Sequence, residues 1–123
     1  MNLAKSYTAP AYTDGCFLLG DITDQSIGDF KQKVIRLREN GKVYYRELAV
    51  FDRTRAYFEQ LSKEVTLKVA IPLWWDDISS DCVIVVDGVQ HKVYNCAKVI
   101  SKQGYKETEL TCVTPEMQYE VIT

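Results

Sequence analysis

Between residues 65 and 113, apolar and polar side chains alternate over long stretches, the period that puts one face of a strand in a core and the other in water. Val65, Leu67, Val69 and Ile71 interleave with Thr66, Lys68 and Ala70, and Pro72 ends the run. Thr108, Leu110 and Cys112 alternate with Glu107, Glu109 and Thr111, which places the two glutamates on the solvent face. Upstream, an apolar block at 82–86 meets Asp87-Gly88, a pair suited to the positive-φ positions of a type I′ hairpin, and a second strand follows at 89–95. Residues 96–101 then lead to another turn signal, Lys102-Gln103-Gly104-Tyr105. Strands joined by two glycine turns predict a β-meander over 81–113.

The first half of the chain is less regular. Residues 16–20 predict a short apolar strand, whereas Asp21, Asp24, Gly28 and Asp29 follow without a period and predict a loop over about 21–32. Residues 33–38 and 43–51 read as a hairpin turning at Asn40-Gly41, with Ile35 and Leu37 on one face and Val34, Arg36 and Arg38 on the other. Asp52 is placed as the N-cap of a short helix over about 53–62, with Tyr57, Phe58 and Leu61 covering the sheet while Arg53, Arg55, Glu59 and Lys63 stay in water. Neighbouring side chains of an extended chain point to opposite sides, so one of Trp74 and Trp75 is expected to be exposed, and exposed tryptophan signals an interface. Residues 119–122 are a last short strand or a tail. Residues 1–14 contain Pro10 and no helical stripe and predict an extended arm, either a frayed terminus or a segment that docks on a partner with Tyr7 and Tyr12 as anchors. The expected architecture is mainly β: a small antiparallel β-barrel or sandwich over 15–123, with one short α-helix and an extended N-terminal arm.

The chain has 123 residues, 46% hydrophobic and 26% charged, which suits one soluble domain that buries its own core. No apolar run reaches the roughly 18 residues of a membrane helix, and no apolar segment of signal-peptide length opens the chain. A net charge of −2 argues against a free-standing nucleic-acid binder. Positive charge is nevertheless concentrated at Lys31, Lys33, Arg36, Arg38 and Lys42, which reads either as a solvated strand face or as a lining that faces DNA or an acidic partner surface. Cys16, Cys82, Cys96 and Cys112 have no C-x-x-C spacing and are read as reduced core residues, implying a reducing compartment. The single histidine, His91, has no spaced nucleophile or ligand set and is read as an exposed strand residue. Phosphate-loop motifs are absent, and the pairs Asp76-Asp77 and Glu107/Glu109 read as solubilising. No enzyme, cofactor or metal is expected.

The order of these features resembles the head-closure, or head-tail joining, proteins of tailed bacteriophages over nearly the whole chain. The helix segment Thr54-Arg55-Ala56-Tyr57-Phe58-Glu59 approximates the family's S/T-R-x-E/x-F/Y-Y/F pattern. The turn and strand Val86-Asp87-Gly88-Val89-Gln90-His91-Lys92-Val93-Tyr94 look like its D-G hairpin, and Thr108-Glu109-Leu110 like its terminal strand. His91 stands where that family often has an aromatic, and the paired tryptophans are not part of its pattern. The resemblance implies a non-enzymatic virion neck protein, assembled in the host cytoplasm as a ring, typically dodecameric, below the adaptor ring on the portal. Such a ring continues the channel for double-stranded DNA, retains packaged DNA and docks the tail through a tail-completion or tail-terminator protein, with no membrane involved. Lys31, Lys33, Arg36 and Arg38 then become candidates for lining or gating the channel. Tyr7, Tyr12, Arg53, Arg55, Trp74 and Trp75 become candidates for contacts with neighbours or with adaptor and portal proteins. The alternatives are an adaptor or tail-completion neck protein and, from another class, a β-barrel that binds single-stranded nucleic acid on Trp74, Trp75 and Tyr94. An enzyme with a cysteine nucleophile ranks last.

Overall fold

A computed structural model describes residues 10–122 and places seven strands in one sheet. The strands are β1 (Gly15–Ile27), β2 (Phe30–Glu47), β3 (Val65–Pro72), β4 (Cys82–Val86), β5 (Val89–Ile100), β6 (Lys106–Val113) and β7 (Glu120–Ile122), with one helix, α1 (Asp52–Gln60), between β2 and β3. Their order is β1-β4-β5-β6-β3-β2-β7, and β1 also pairs with β2, so the first six strands close on themselves. All of these pairings are antiparallel except β2–β7, which is parallel through Val34–Arg36 and Glu120–Ile122. The architecture is mainly β with one short helix, as the alternation predicts.

Closure follows from which faces are apolar. Phe17 and Leu19 of β1, Val43 and Tyr45 of β2, Val69 and Ile71 of β3, Ile84 of β4, Val93 of β5 and Leu110 and Cys112 of β6 meet in one buried cluster, every second residue of each strand. Fully burying one such side chain stabilises the fold by about 1.5–3 kcal/mol. The meander forms as expected, and both Asp87 (φ 50) and Gly88 (φ 81) take positive φ in the turn between Val86 and Val89.

Three pieces cover the outside of the closed sheet. Helix α1 packs Phe58 against Val65 and Val113, with the Phe58 ring edge-on to Tyr94 at 4.8 Å. Tyr57 and Leu61, expected to share that contact, stay exposed, because one turn of so short a helix reaches the sheet. Asp52 is the first helical residue rather than the N-cap; Phe51 holds the cap position without a side-chain hydrogen bond, and Asp52 acts on the helix dipole instead. The C-terminal segment covers β2 and β4, packing Tyr119 on Ile35 and Val83. The buried Gln90 amide grips its backbone, donating to the Tyr119 carbonyl (2.7 Å) and accepting from the Tyr119 N–H (3.0 Å). The third piece is the segment around Tyr12, described below.

Two expectations fail in the first half of the chain. Residues 21–32 are not a loop: Gly20–Ile27 pairs with Leu37–Phe30 in unbroken register, and the turn is Gly28-Asp29, with Gly28 at φ 59. This ribbon has water on both faces over much of its length, so it carries no apolar period to read. Asn40-Gly41 is likewise not a hairpin turn. β2 runs through it as one strand, and residues 38–41 form a bulge opposite Leu19, between the pairs Leu18/Lys42 and Gly20/Leu37. Asn40 takes φ 57, and a Cβ on Gly41 would lie 2.9 Å from the carbonyl oxygens of both Arg38 and Leu19, so only glycine fits.

Replacing Gln90 with leucine removes both hydrogen bonds to Tyr119 while keeping a side chain of similar size. The expected result is a loss of about 1–3 kcal/mol, with faster hydrogen exchange confined to the C-terminal segment. Unchanged exchange at Tyr119 would show that Gln90 does not hold it.

Candidate functional site

The pairing of β1 with β4 ends at Asp21/Cys82, so beyond that point β1 and β2 continue as a two-stranded arm. β7 supports this arm at Val34–Arg36, and past those residues toward the tip it stands alone. Lys31 and Lys33 lie on one face of it, opposite Ser26 and Asp24, and both are exposed. Arg36 is exposed on the other face opposite Asp21, and Phe30 at the turn is 78% exposed. Lys33 and Asp24 stand 3.9 Å apart with both side chains more than half in water, a pair that contributes less than about 1 kcal/mol. The cations of the arm are therefore held only loosely.

Arg38 differs from this row. Its Nε and Nη2 donate to the two carboxylate oxygens of Asp21 (2.7 and 2.8 Å), Nη1 donates to Asp77 Oδ2 (2.9 Å), and Nη2 also reaches the Asp77 carbonyl (2.7 Å). The Arg38 hydrogen bonds hold the Asp21 carboxyl below its usual range against the opposing effect of burial. The buried Cys82 thiol donates to Asp21 Oδ1 at 3.4 Å, and burial pushes that thiol up. Arg38 thus clasps the bulge to β1 and to the segment before β4. Its guanidinium is committed within the chain, so the exposed basic row is Lys31, Lys33 and Arg36.

A second polar cluster overturns the reading of Glu107 as a solvent-facing carboxylate. Its side chain is 1% exposed. Arg46 grips it with two hydrogen bonds, Nε to Oε2 (3.0 Å) and Nη2 to Oε1 (2.7 Å), and the Tyr12 hydroxyl donates to Oε2 (2.8 Å). Alternation had placed Glu107 on the outer face of β6, and it does lie there, but the segment around Tyr12 roofs that face. Burial acts to raise the Glu107 carboxyl, and the Arg46 and Tyr12 hydrogen bonds outweigh it, leaving the group below its usual range. The Tyr12 phenol is pushed up to about 12, first by burial and then by the Glu107 carboxylate. Tyr12 therefore anchors within its own chain, and Tyr7 lies outside the described residues.

The two tryptophans divide as their adjacency predicts. Trp75 packs on the interior cluster and its indole N–H donates to the Pro72 carbonyl (3.0 Å). Trp74 is 42% exposed, with its indole N–H donating to the Val99 carbonyl (2.9 Å) and the Lys106 ammonium 4.7 Å from its ring. Arg53 and Arg55 are exposed on α1, and Arg55 lines a cleft of about 510 Å³ with Asp14, Glu47 and Lys68. His91 is half-buried rather than exposed: its Nδ1 is 2.8 Å from the Thr66 hydroxyl, and burial lowers its pKa. Cys82 and Cys112 are buried, Cys16 and Cys96 half-buried, and all four are free. Burial pushes the Cys112 thiol up to about 12, which keeps it protonated and inert. Among the described residues no three His, Cys, Asp or Glu side chains form a metal-holding group. No protein-family model matches the chain, and no curated protein matches its sequence.

Sequence reasoning missed Glu107, Leu73 and Phe30. The first is buried by a segment distant in the chain. Leu73 and Phe30 are apolar residues that the fold leaves in water, and nothing local in the sequence marks them.

Replacing Arg46 with methionine leaves the buried Glu107 carboxylate without its cation, which is expected to cost about 3–5 kcal/mol at neutral pH and less at pH 4, because without Arg46 burial favours the protonated carboxyl. Urea unfolding at the two pH values measures the difference, and equal losses would show that the Glu107 charge is not the cause. The pH dependence of the wild-type chain has two limbs. Because the Glu107 and Asp21 carboxyls are lowered on folding, their contribution is complete above the ordinary carboxyl range and disappears as pH falls through the lowered values. Because Tyr12 is raised, its contribution is complete below about pH 10 and is lost as pH rises toward 12. Tyr12→Phe should remove the Tyr12 share of the alkaline loss of thermal stability and also reduce the acid limb, because its hydroxyl helps hold the Glu107 carboxyl down.

Proposed function

We propose that this protein is a structural neck component of a tailed-bacteriophage virion, a head-closure ring whose copies surround the DNA channel. The reading rests on one observation: the arm of β1 and β2 carries Lys31, Lys33 and Arg36, exposed and loosely paired, with Phe30 at its turn, on a chain of net charge −2. A channel for a moving polyanion needs positive charge that attracts phosphate without binding it tightly, because each tight phosphate contact adds to the affinity that stops sliding. Asp24, 3.9 Å from Lys33, weakens that attraction in the way such a channel requires.

In this reading about a dozen copies set their arms toward the lumen and hold packaged DNA in, the adaptor and portal lie above, and a tail-completion or tail-terminator protein docks below. The mainly β fold with one short helix is the architecture the resemblance implies. A single-stranded nucleic-acid platform is less well supported, because Trp75 is packed inward and Tyr94 lies against Phe58, so the three rings do not present one stacking surface.

Electron microscopy of particles carrying a tagged copy tests the proposal: the label is expected at the vertex between head and tail. Particles with Lys31→Glu and Lys33→Glu are expected to assemble but to lose packaged DNA several-fold more often than wild type. A label anywhere other than that vertex would sink the proposal.

A further inference from the structure

The outer face of the closed sheet carries a cleft beneath α1. Its floor is a row of three side chains from neighbouring strands: the register sets Lys68 of β3 opposite Thr111 of β6, and Thr111 opposite Asn95 of β5. Opposed side chains on one sheet face stand about 5 Å apart at Cβ, so an ammonium, a hydroxyl and an amide lie within reach of one small molecule. Helix α1 forms the roof with Thr54, Tyr57 and Phe58, and Tyr94 closes the side. The cleft holds about 430 Å³, within the range of small-molecule sites.

None of the three floor groups is used by the fold. Thr111 is only 8% exposed, yet its hydroxyl makes no hydrogen bond among the described residues. A polar side chain placed that deeply ordinarily has a partner inside the chain. Lys68 is half-buried and joins no ion pair among the described residues, and the Asn95 amide is equally uncommitted. The Tyr57 and Tyr94 phenols, by contrast, interact with each other, and Lys63 stands 5.9 Å from the Tyr94 ring. Lys68 is the one charged side chain in the lining. Glu109, further along β6, is opposite Ala70 and Ala97 and lies outside it. Lys68 also borders the cleft that holds Asp14, Glu47 and Arg55, but Asp14 accepts from the Glu47 N–H and neither carboxylate pairs with Lys68.

A floor rich in donors with a single cation selects a ligand that carries one negative group and several further oxygens, since hydrogen bonds to a charged partner are the strong ones. Tyr57, 52% exposed, offers such a ligand an apolar ring face. We infer that the cleft beneath α1 binds a hydroxylated ring bearing one anionic group, a sugar acid or a sugar phosphate. Its anion lies on Lys68, its hydroxyls on Thr111 and Asn95, and its carbon face against Tyr57. A free phosphate would leave the aromatic wall unused, and a neutral sugar would leave the ammonium unmatched. The site lies apart from the arm and does not depend on the ring reading.

The test titrates the full chain with glucuronate, glucose 6-phosphate, glucose and inorganic phosphate while backbone amide shifts are followed. At least one of the two anionic sugars is expected to bind with a Kd of about 1 mM or tighter, with shifts centred on Lys68, Asn95 and Thr111, and glucose and free phosphate at least about tenfold more weakly. The tighter of the two sugars identifies the anion as carboxylate or phosphate. Lys68→Met is expected to weaken that binding at least about tenfold, and Thr111→Val and the exposed-site variant Asn95→Ala about threefold each. Thr111→Val is also expected to melt within about 2 °C of wild type, because the hydroxyl it loses has no partner inside the chain. The site would be overturned by an absence of shifts at these residues up to about 10 mM of either anionic sugar, or by glucose or phosphate binding as tightly. Unchanged binding by Lys68→Met, with Asn95→Ala also unchanged, would overturn it too. A Thr111→Val chain that melts far below wild type would show that the hydroxyl serves the fold rather than a ligand.

Discussion

The whole arrangement depends on the pairing of β1 with β2. These are the two longest strands, and they pair from Gly15/Tyr45 to Ile27/Phe30. The lower part of that pairing closes the ring and removes two free edges, which an open sheet would leave as templates for aggregation. The upper part leaves the ring and becomes the arm. The four-residue bulge at 38–41 lies between the two parts, and it lets the interior-facing residues of the closed sheet and the residues of the arm each keep their own register. Closing the ring and presenting the arm are thus consequences of one interrupted pairing.

Charged groups stabilise the two places where this arrangement is weakest. Arg38 binds the bulge to Asp21 on β1 and to Asp77 before β4, so the residues that leave the regular ladder are tied to both neighbours. Arg46 and Tyr12 close over Glu107 on the outer face of β6. Charges in such settings gain little net stability over apolar packing, but they fix one arrangement, since a buried carboxylate left without its partners is costly. The same economy explains why Arg38 and Tyr12, both candidates for work outside the subunit, are committed inside it. Among the described residues, Lys31, Lys33, Arg36 and Phe30 of the arm stay exposed, and the proposed function is built on these.

The meander at 81–113 and the strand at 65–72 were legible because an apolar and polar alternation is a direct image of a half-buried strand, and Asp87-Gly88 because few pairs tolerate positive φ twice. The arm was not legible, because a ribbon in water on both faces has no period. Asn40-Gly41 misled for a related reason: the residues that allow a tight turn also allow a bulge, and only the partner strand decides between them. The division of Trp74 and Trp75 agrees with what adjacency suggests, although the pair lies beyond the end of β3 in a segment that is not strand.

By itself the sequence determined a mainly β chain with one short helix, which faces of several strands are apolar, and where the chain reverses at Asp87-Gly88. Those are local properties, set by side-chain period and by the φ values each residue tolerates. Tertiary structure alone decided that β1 reaches both β2 and β4 and so closes the sheet, that Glu107 is buried, that Arg38 is bound, and that Leu73 and Phe30 stand in water. Each of these depends on segments far apart in the chain meeting at one place, and burial or exposure is a property of that meeting rather than of the residue.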